Sequence, residues 1–152
     1  MFDNGFKIIK FPLPHEISQL VKAEDWEAID KIFLELNSPN GEIFEFMNKL
    51  HPIKKIEQMI SIRDANNPWE EDGIWHDDGS RNIAYSLSLT MNPSEISGGK
   101  LGLRKIGSTK FEEIPTPRFG EAVVFLTGNW GYEHKIHQVI SGRRIILVGW
   151  CT

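Results

Sequence analysis

The strongest constraint on the fold of this chain is a change in the spacing of its apolar residues near residue 54. Before that point, apolar residues recur every three or four positions, which places them on one face of a helix. After it, short β-branched runs alternate between apolar and polar positions and are separated by Gly, Pro, Asn and Asp, as is typical of strands joined by turns. The pattern therefore predicts helices packed on a mainly β structure.

The N-terminal part contains one short strand and three helical segments. The run from Phe6 to Leu13 is predicted as an edge strand, because Pro12 and Pro14 cannot donate hydrogen bonds to a neighbouring strand. Turn residues at 37–41 (NSPNG) separate the second helix from a third that runs from about Glu42 to Leu50 and ends before Pro52. The apolar stripes consist of Ile17, Leu20 and Val21, then Trp26, Ile29, Ile32, Phe33 and Leu36, and finally Ile43, Phe44, Met47 and Leu50.

Seven or eight strands are predicted after residue 54. The clearest runs from Ile83 to Thr90, and the others cover residues 56–63, 100–105, 114–116, 122–126, 132–140 and 144–150. Strands at this turn-punctuated spacing favour a sandwich or barrel over parallel βαβ units. We expect a single domain over residues 1–152, with helical support at about 15–51 and a barrel at about 54–152.

Charge and cysteine content narrow the classes of partner and compartment. The formal net charge of -4 gives no general electrostatic reason to bind nucleic acid or an anionic membrane. The single cysteine, Cys151, allows no internal disulfide and favours a reducing compartment. No apolar run approaches transmembrane length, and the N-terminus does not resemble a signal peptide. We expect a cytoplasmic protein without nucleic-acid or membrane partners, and its oligomeric state stays open.

Residues able to bind a metal concentrate in the segment 75–81 (WHDDGSR). In an extended segment alternate side chains share a face, so His76 and Asp78 point to one side and Asp77 to the other. A second imidazole would complete the two-histidine, one-carboxylate set of non-haem Fe(II) oxygenases. His134 and His137 compete for that position. His137 shares its face with a lysine, which prefers solvent, and this favours His134.

From His76 onward, the chain resembles the Fe(II)- and 2-oxoglutarate-dependent dioxygenases, in particular their prolyl-hydroxylase-like branch. The matching residues cover roughly the second half of the chain in the family's order. They are His76-Asp77-Asp78, Gly98 to Leu101, Phe119 to Glu121, Val123 to Phe125, His134 to Ile136, Gly142 to Arg144, and Gly149-Trp150. The resemblance implies a double-stranded β-helix (jelly-roll, cupin-like) barrel flanked by N-terminal helices, which agrees with the order of helices and strands predicted above.

The resemblance also implies the roles of the site residues. His76, Asp78 and His134 would be the catalytic metal ligands, because the family places an apolar residue two positions after the last ligand and a Gly-x-Arg element beyond it. Ile136 and Arg144 occupy those places. Arg144 would bind the C5 carboxylate of 2-oxoglutarate, a task that suits a planar guanidinium.

The second anchor of that carboxylate departs from the family pattern. A tyrosine is frequent there, but the matching position is Ser88, with Thr90 where an asparagine is frequent. Tyr85 is nearby, yet it falls on the opposite face of the strand. A hydroxyl from Ser88 or Ser86 is the remaining donor, and both alternatives stay open.

The implied cofactors are Fe(II), 2-oxoglutarate as cosubstrate and O2, with ascorbate as an optional addition. The implied reaction hydroxylates a peptidyl residue such as proline, or a small molecule, and releases succinate and CO2. Two alternatives stand beside it. A cupin-like metal protein that does not use 2-oxoglutarate is disfavoured by Arg144, and a non-catalytic binding module on the same scaffold is disfavoured by the complete ligand set.

The substrate side of the site is weakly defined by the sequence. Arg63, Asn129, Trp130 and Tyr132 are candidates, although ordinary rim positions explain them equally well. The acidic run at 70–72 (EED) is compatible with a cationic substrate, but a solvated loop explains it more simply.

Overall fold

The computed structural model of the chain describes residues 2–65 and 73–152, and within them it contains three helices and ten strands. The helices are α1 (Glu16–Lys22), α2 (Trp26–Asn37) and α3 (Glu42–Leu50). The strands are β1 (Phe6–Lys10), β2 (Ile56–Asp64), β3 (Ile83–Ser88), β4 (Ser97–Gly98), β5 (Leu101–Lys105), β6 (Glu112–Ile114), β7 (Glu121–Leu126), β8 (Tyr132–Ile136), β9 (Val139–Ser141) and β10 (Arg143–Cys151). None of the described helices is long and apolar enough to cross a membrane.

The strands form one large sheet and two small ones. The large sheet is antiparallel with the order β1-β7-β3-β10-β2, so β1 is an edge strand, as the two prolines predicted. A three-stranded sheet, β6-β5-β8, and a two-stranded pair, β4-β9, complete the β structure. Backbone hydrogen bonds do not close these sheets into one continuous barrel within the described residues.

The helices cover one face of the large sheet. Their apolar stripes meet the side chains of β3 and β10 in the larger of two hydrophobic cores, which contains Ile17, Ile29, Phe33, Ile43, Met47, Ile83, Tyr85, Leu87 and Leu147. The 3.6-residue periodicity of the first 50 residues therefore predicted the buried helix faces correctly.

The second core lies between the large sheet and the three-stranded sheet. Its buried members are Ala84, Leu101, Leu103, Ile114, Val123, Phe125 and Ile136. Because side chains alternate along β3, Tyr85 points to the helices while Ala84 and Ser86 point to this inner space. The functional site occupies the same space, so one strand supports both layers.

Tyr85 is locked into the helix-facing core. Its hydroxyl donates a hydrogen bond of 2.7 Å to Asn37 Oδ1, and the Asn37 amide donates to Gln58 Oε1 at 2.8 Å. Burial raises the pKa of the Tyr85 phenol well above its usual value. Gly149 lies directly opposite on β10, and a Cβ there would overlap the Tyr85 ring. The glycine is therefore required by close approach of the ring.

Gly149→Ala is expected to lower the free energy of unfolding by about 3 kcal/mol, because the added methyl group overpacks a full core. Thermal or urea unfolding measures the change. Gly73→Ala is the matched control, since a Cβ at Gly73 would meet its nearest neighbour, the Ile136 carbonyl oxygen, at 3.7 Å. Equal stability of the two variants would contradict this account of the core.

Several strand predictions differ from the structure. The strands predicted at 6–13 and 83–90 end earlier, at Lys10 and Ser88, and two further differences have a local cause. The run predicted at 132–140 is divided into β8, which pairs with β5, and β9, which pairs with β4. At the point where the pairing changes, His137 N donates to Lys100 O and Gly99 N donates to Gln138 O. The strand predicted at 114–116 ends at Ile114 and begins earlier, at Glu112. Pro115 has no N–H to continue the ladder.

Candidate metal centre

A short antiparallel bridge brings two histidines together. His76 N donates to His134 O at 3.0 Å, and His134 N donates to His76 O at 2.8 Å. The ring centroids of the two histidines are 4.3 Å apart. His134 lies on β8, is 6% exposed and packs its ring edge-on against Phe125. Both imidazoles therefore occupy the inner space between the sheets.

Asp78 completes the cluster. Its Oδ1 lies 3.5 Å from His76 Nε2, and its Oδ2 lies 3.0 Å from His134 Nε2. The three potential ligand atoms all lie within 4.8 Å of one another. His76 Nδ1 is 2.6 Å from the Ile74 carbonyl oxygen, which assigns the proton to Nδ1 and leaves the Nε2 lone pair for a metal.

The backbone at Asp78 is not extended. Its φ of 59° is left-handed, a conformation that Asp tolerates better than most residues. Asp77 Oδ1 accepts a hydrogen bond from Gly79 N and stabilises the turn that follows. His76 and Asp78 approach each other as predicted, but a turn, rather than strand alternation, brings them together.

The Asp78 carboxyl group is held in its ionised form. Burial raises the pKa of Asp78, but the hydrogen bond from His134 and the electrostatic attraction of His134, His76 and Arg81 outweigh burial, so the pKa lies below its usual value. Two imidazoles and one carboxylate, with open positions between them, are the donor set that suits Fe(II). The residues present fit this metal.

Arg144 lies near the start of β10, on the face that lines the inner space between the sheets. The side chain is 3% exposed, forms no ion pair with another described residue, and its Nε has no hydrogen-bond partner among them. Burial, and then the charge of Arg63, lowers the pKa of Arg144 to about 9. An anionic ligand would stabilise a buried guanidinium in this position.

Arg63 lies directly opposite Arg144 on the neighbouring strand β2. It is 5% exposed, so two guanidinium groups occupy the same end of the space between the sheets. The positive end and the metal-binding end belong to one cavity, and the cavity is therefore polarised along its length.

The cavity has a volume of about 750 Å³. Met59 and Ile74 are 47% and 53% exposed and form part of its rim. Its walls are mostly apolar, and the residues that line it are Met59, Ser61, Arg63, Ile74, His76, Asp78, Ser86, Leu101, Phe125, His134, Ile136, Arg144, Val148 and Trp150. Met59, Ser61 and Ile74 were missed from the sequence, although the period-2 pattern of β2 places Met59 and Ser61 on the same face as Arg63.

The two serines of β3 occupy different environments. Ser88 is fully buried, and its Oγ accepts a 3.3 Å hydrogen bond from Thr90 N. Ser86 lines the cavity, whereas Ser88 does not. Thr90 joins β10 instead, since its Oγ1 donates to Ile145 O and accepts from Ile145 N.

His137 lies on the outer face of the three-stranded sheet. Its ring stacks on Phe111 at 5.8 Å, and a Cβ at Gly102 would meet its Nε2. Burial, followed by the charge of Lys135, lowers the pKa of His137. Its ring is not part of the cluster formed by His76, Asp78 and His134.

Three of the four candidate substrate-side residues do not line the cavity. Asn129 donates to Ser80 O and Asn82 Oδ1, Trp130 is 54% exposed beside His51, and Tyr132 packs on Gly5. None of the three is among the residues that line the cavity, whereas Arg63 is. The acidic run at 70–72 lies outside the described residues.

This geometry defines an oxygenase-type metal centre, in which two histidines and one aspartate lie between the sheets of a jelly roll. The model of the 2OG-Fe(II) oxygenase superfamily matches residues 64–152. The chain belongs to the 2OG-Fe(II) oxygenase superfamily.

One curated relative is a PKHD-type hydroxylase from Prochlorococcus marinus, which is 28% identical over 79 residues. The match covers 52% of this chain and 33% of the relative, so the chain spans about a third of that relative's length.

Two solved structures show the same fold at low identity. A prolyl-4-hydroxylase from Pseudomonas putida superposes with a TM-score of 0.61 at 18% identity, over 97% of this chain and 88% of that one. A prolyl hydroxylase from Trichoplax adhaerens, in complex with a hypoxia-inducible-factor oxygen degradation domain peptide fragment, gives a TM-score of 0.60 at 16% identity, over 97% and 83%. The predicted double-stranded β-helix fold is thus confirmed.

Proposed function

We propose that this protein is an Fe(II)- and 2-oxoglutarate-dependent dioxygenase that hydroxylates its substrate and releases succinate and CO2. The observation that carries the proposal is the polarised cavity. One end presents His76, Asp78 and His134 within 4.8 Å of one another, and the other presents the buried Arg144. Fe(II) held by the three ligands would supply the O2 chemistry that no protein side chain provides.

The protein's own residues orient the reactants. The Ile74 carbonyl fixes the His76 tautomer, and the low pKa of Asp78 keeps its carboxylate charged at neutral pH. Arg144 binds the C5 carboxylate of 2-oxoglutarate and so directs the opposite end of the cosubstrate to the metal end of the cavity. Apolar walls such as Phe125 and Val148 exclude water from the space between these ends.

A serine hydroxyl on β3 supplies the second hydrogen bond to that carboxylate. Ser88 occupies the family position, whereas Ser86 lines the cavity. Separate alanine variants at the two positions identify the donor, because removing it weakens 2-oxoglutarate binding by about 1 kcal/mol, the usual value for one hydrogen bond. Titration of the cosubstrate into the metal-loaded protein measures the difference.

The substrate reaches the site over the rim formed by Met59 and Ile74. A peptide or a small molecule with an aliphatic C–H bond fits the apolar walls, and the Trichoplax adhaerens structure shows a peptide fragment bound to a protein of the same fold. Mass-spectrometric screening of peptide and metabolite panels for the addition of one oxygen atom would identify the substrate class.

The proposal extends to a cytoplasmic protein that uses neither nucleic acid nor a membrane as a partner. It is supported by the net charge of -4 and by the single cysteine. Cys151 is fully buried, and burial raises the pKa of its thiol to about 12, so the thiol is not reactive at neutral pH.

The purified protein, supplied with Fe(II) and O2, is expected to convert 2-oxoglutarate slowly to succinate even without its substrate. Succinate is measured with and without ascorbate, and Asp78→Ala is the control because it lacks the carboxylate ligand. Metal binding without consumption of 2-oxoglutarate would favour a cupin-like metal protein of another kind. Absence of both would favour a non-catalytic binding module.

A further inference from the structure

The two oxygens of the Asp78 carboxylate have different surroundings. Trp150 Nε1 donates a hydrogen bond of 3.1 Å to Oδ2, the oxygen that also lies 3.0 Å from His134 Nε2. The nearest imidazole nitrogen to Oδ1 is His76 Nε2, at 3.5 Å. An indole N–H is a donor and never an acceptor, so Trp150 marks Oδ2 as the oxygen that stays bonded to the protein.

Arg81 holds Trp150 and Asp78 together. Its guanidinium lies 5.4 Å from the centroid of the Trp150 ring, within the range of a cation–π contact. Its Nη1 donates to the Asp78 carbonyl oxygen at 3.1 Å, and its Nη2 donates to Glu57 Oε2 at 3.3 Å. Glu57 lies opposite Trp150 on β2, so the edge strand of the large sheet anchors this arrangement.

These contacts converge on a residue in an unfavourable conformation. The left-handed φ of Asp78 costs about 1 kcal/mol for a residue other than glycine. The hydrogen bond from Arg81 to the Asp78 carbonyl oxygen holds that backbone. The hydrogen bond from the Trp150 indole to Asp78 Oδ2 fixes the side-chain rotamer. A carboxylate that is free to rotate can offer both oxygens to a metal and so occupy one additional coordination position.

We propose that Trp150 and Arg81 are positioning residues that fix Asp78 as a one-oxygen ligand through Oδ1. This inference rests on the proposed function only in that His76, Asp78 and His134 bind a metal. Outer contacts of this kind typically change metal affinity by about 10- to 100-fold when they are removed.

The test uses Co(II), which needs no protection from O2, and the whole chain of residues 1–152. Trp150→Phe keeps the aromatic ring beneath Arg81 but removes the N–H. We expect its Co(II) dissociation constant to rise by about 10- to 100-fold. We also expect the visible absorption bands of bound Co(II) to change, because the released Oδ2 alters the coordination. A role confined to packing would lower the melting temperature without changing those bands.

Trp75→Phe is the matched control. Trp75 precedes His76 in the chain, but its ring lies outside the cavity, beneath the Arg104 guanidinium and edge-on to Phe111. We expect this variant to bind Co(II) with wild-type affinity and an unchanged spectrum. Arg81→Met provides a second test that does not alter the indole, since it removes the bond to the Asp78 carbonyl, and it too should weaken Co(II) binding.

Wild-type affinity and wild-type bands in both Trp150→Phe and Arg81→Met would overturn the proposed positioning role while leaving the metal site intact. Failure of the wild-type protein to bind Co(II) would overturn the metal site itself, and the proposed function with it. The two failures are therefore distinguishable in one set of titrations.

Discussion

His134→Ala is expected to lose Fe(II) binding, whereas His137→Ala is expected to keep it. His134 Nε2 lies 3.0 Å from Asp78 Oδ2 inside the cavity, while the His137 ring stacks on Phe111 on the opposite face of the same sheet. Removing one of three ligands should weaken Fe(II) binding by more than about 100-fold, beyond the range found for outer contacts. Anaerobic titration of the purified variants with Fe(II) measures the loss.

The two histidine variants control for each other. Each removes one imidazole from the same segment of the chain, but only His134 lies in the cavity. Retained binding in His134→Ala together with lost binding in His137→Ala would move the third ligand and contradict the proposed centre. Melting temperatures of the metal-free variants show whether both remain folded.

Arg144→Met is expected to retain Fe(II) but to bind 2-oxoglutarate at least about 100-fold more weakly. Removing one partner of a buried ion pair costs about 3–5 kcal/mol, because the other charge is left buried and uncompensated. The affinity of Arg144→Lys for 2-oxoglutarate should fall between those of the wild type and Arg144→Met. An ammonium keeps the charge but lacks the planar fork that binds both carboxylate oxygens. Titration of 2-oxoglutarate into the metal-loaded variants measures these affinities.

Arg144→Met should stabilise the protein against unfolding in the absence of ligands. Burial, and then the charge of Arg63, lowers the pKa of Arg144 to about 9, well below the usual value for an arginine, so its charge disfavours the folded state. The cost is fully present below pH 9 and decreases as the pH rises from there towards the usual pKa of an arginine. Metal-free Arg144→Met should therefore melt at or above the wild-type temperature at neutral pH, and 2-oxoglutarate should no longer raise it. Unchanged cosubstrate affinity in Arg144→Met would remove Arg144 from the carboxylate site.

Local patterns predicted much of what the structure shows. The bounds of α3 follow from its apolar spacing and from Pro52, and the alternation of β3 separates Tyr85 from Ser86. Face parity also distinguished His134 from His137, because Lys135 shares the outer face with His137. In each case the decisive interaction lies within a few residues of chain, where periodicity carries the information.

Contacts between distant segments were not predictable in this way. The hydrogen bond from Trp150 to Asp78 joins residues far apart in the sequence, and the opposition of Arg63 to Arg144 depends on the pairing of β2 with β10. The left-handed turn at Asp78 was missed because Asp also fits extended backbone. The division of residues 132–140 into two strands depends on which strand each half pairs with, and the sequence alone does not specify that pairing.

The most direct test of the iron and 2-oxoglutarate site is an anaerobic absorption titration. Fe(II) is added to the metal-free protein in the presence of 2-oxoglutarate, and the visible spectrum is recorded. The proposed site predicts a metal-to-ligand charge-transfer band that requires both additions and is absent from His134→Ala. A wild-type spectrum without that band, from folded protein at saturating Fe(II) and 2-oxoglutarate, would contradict it.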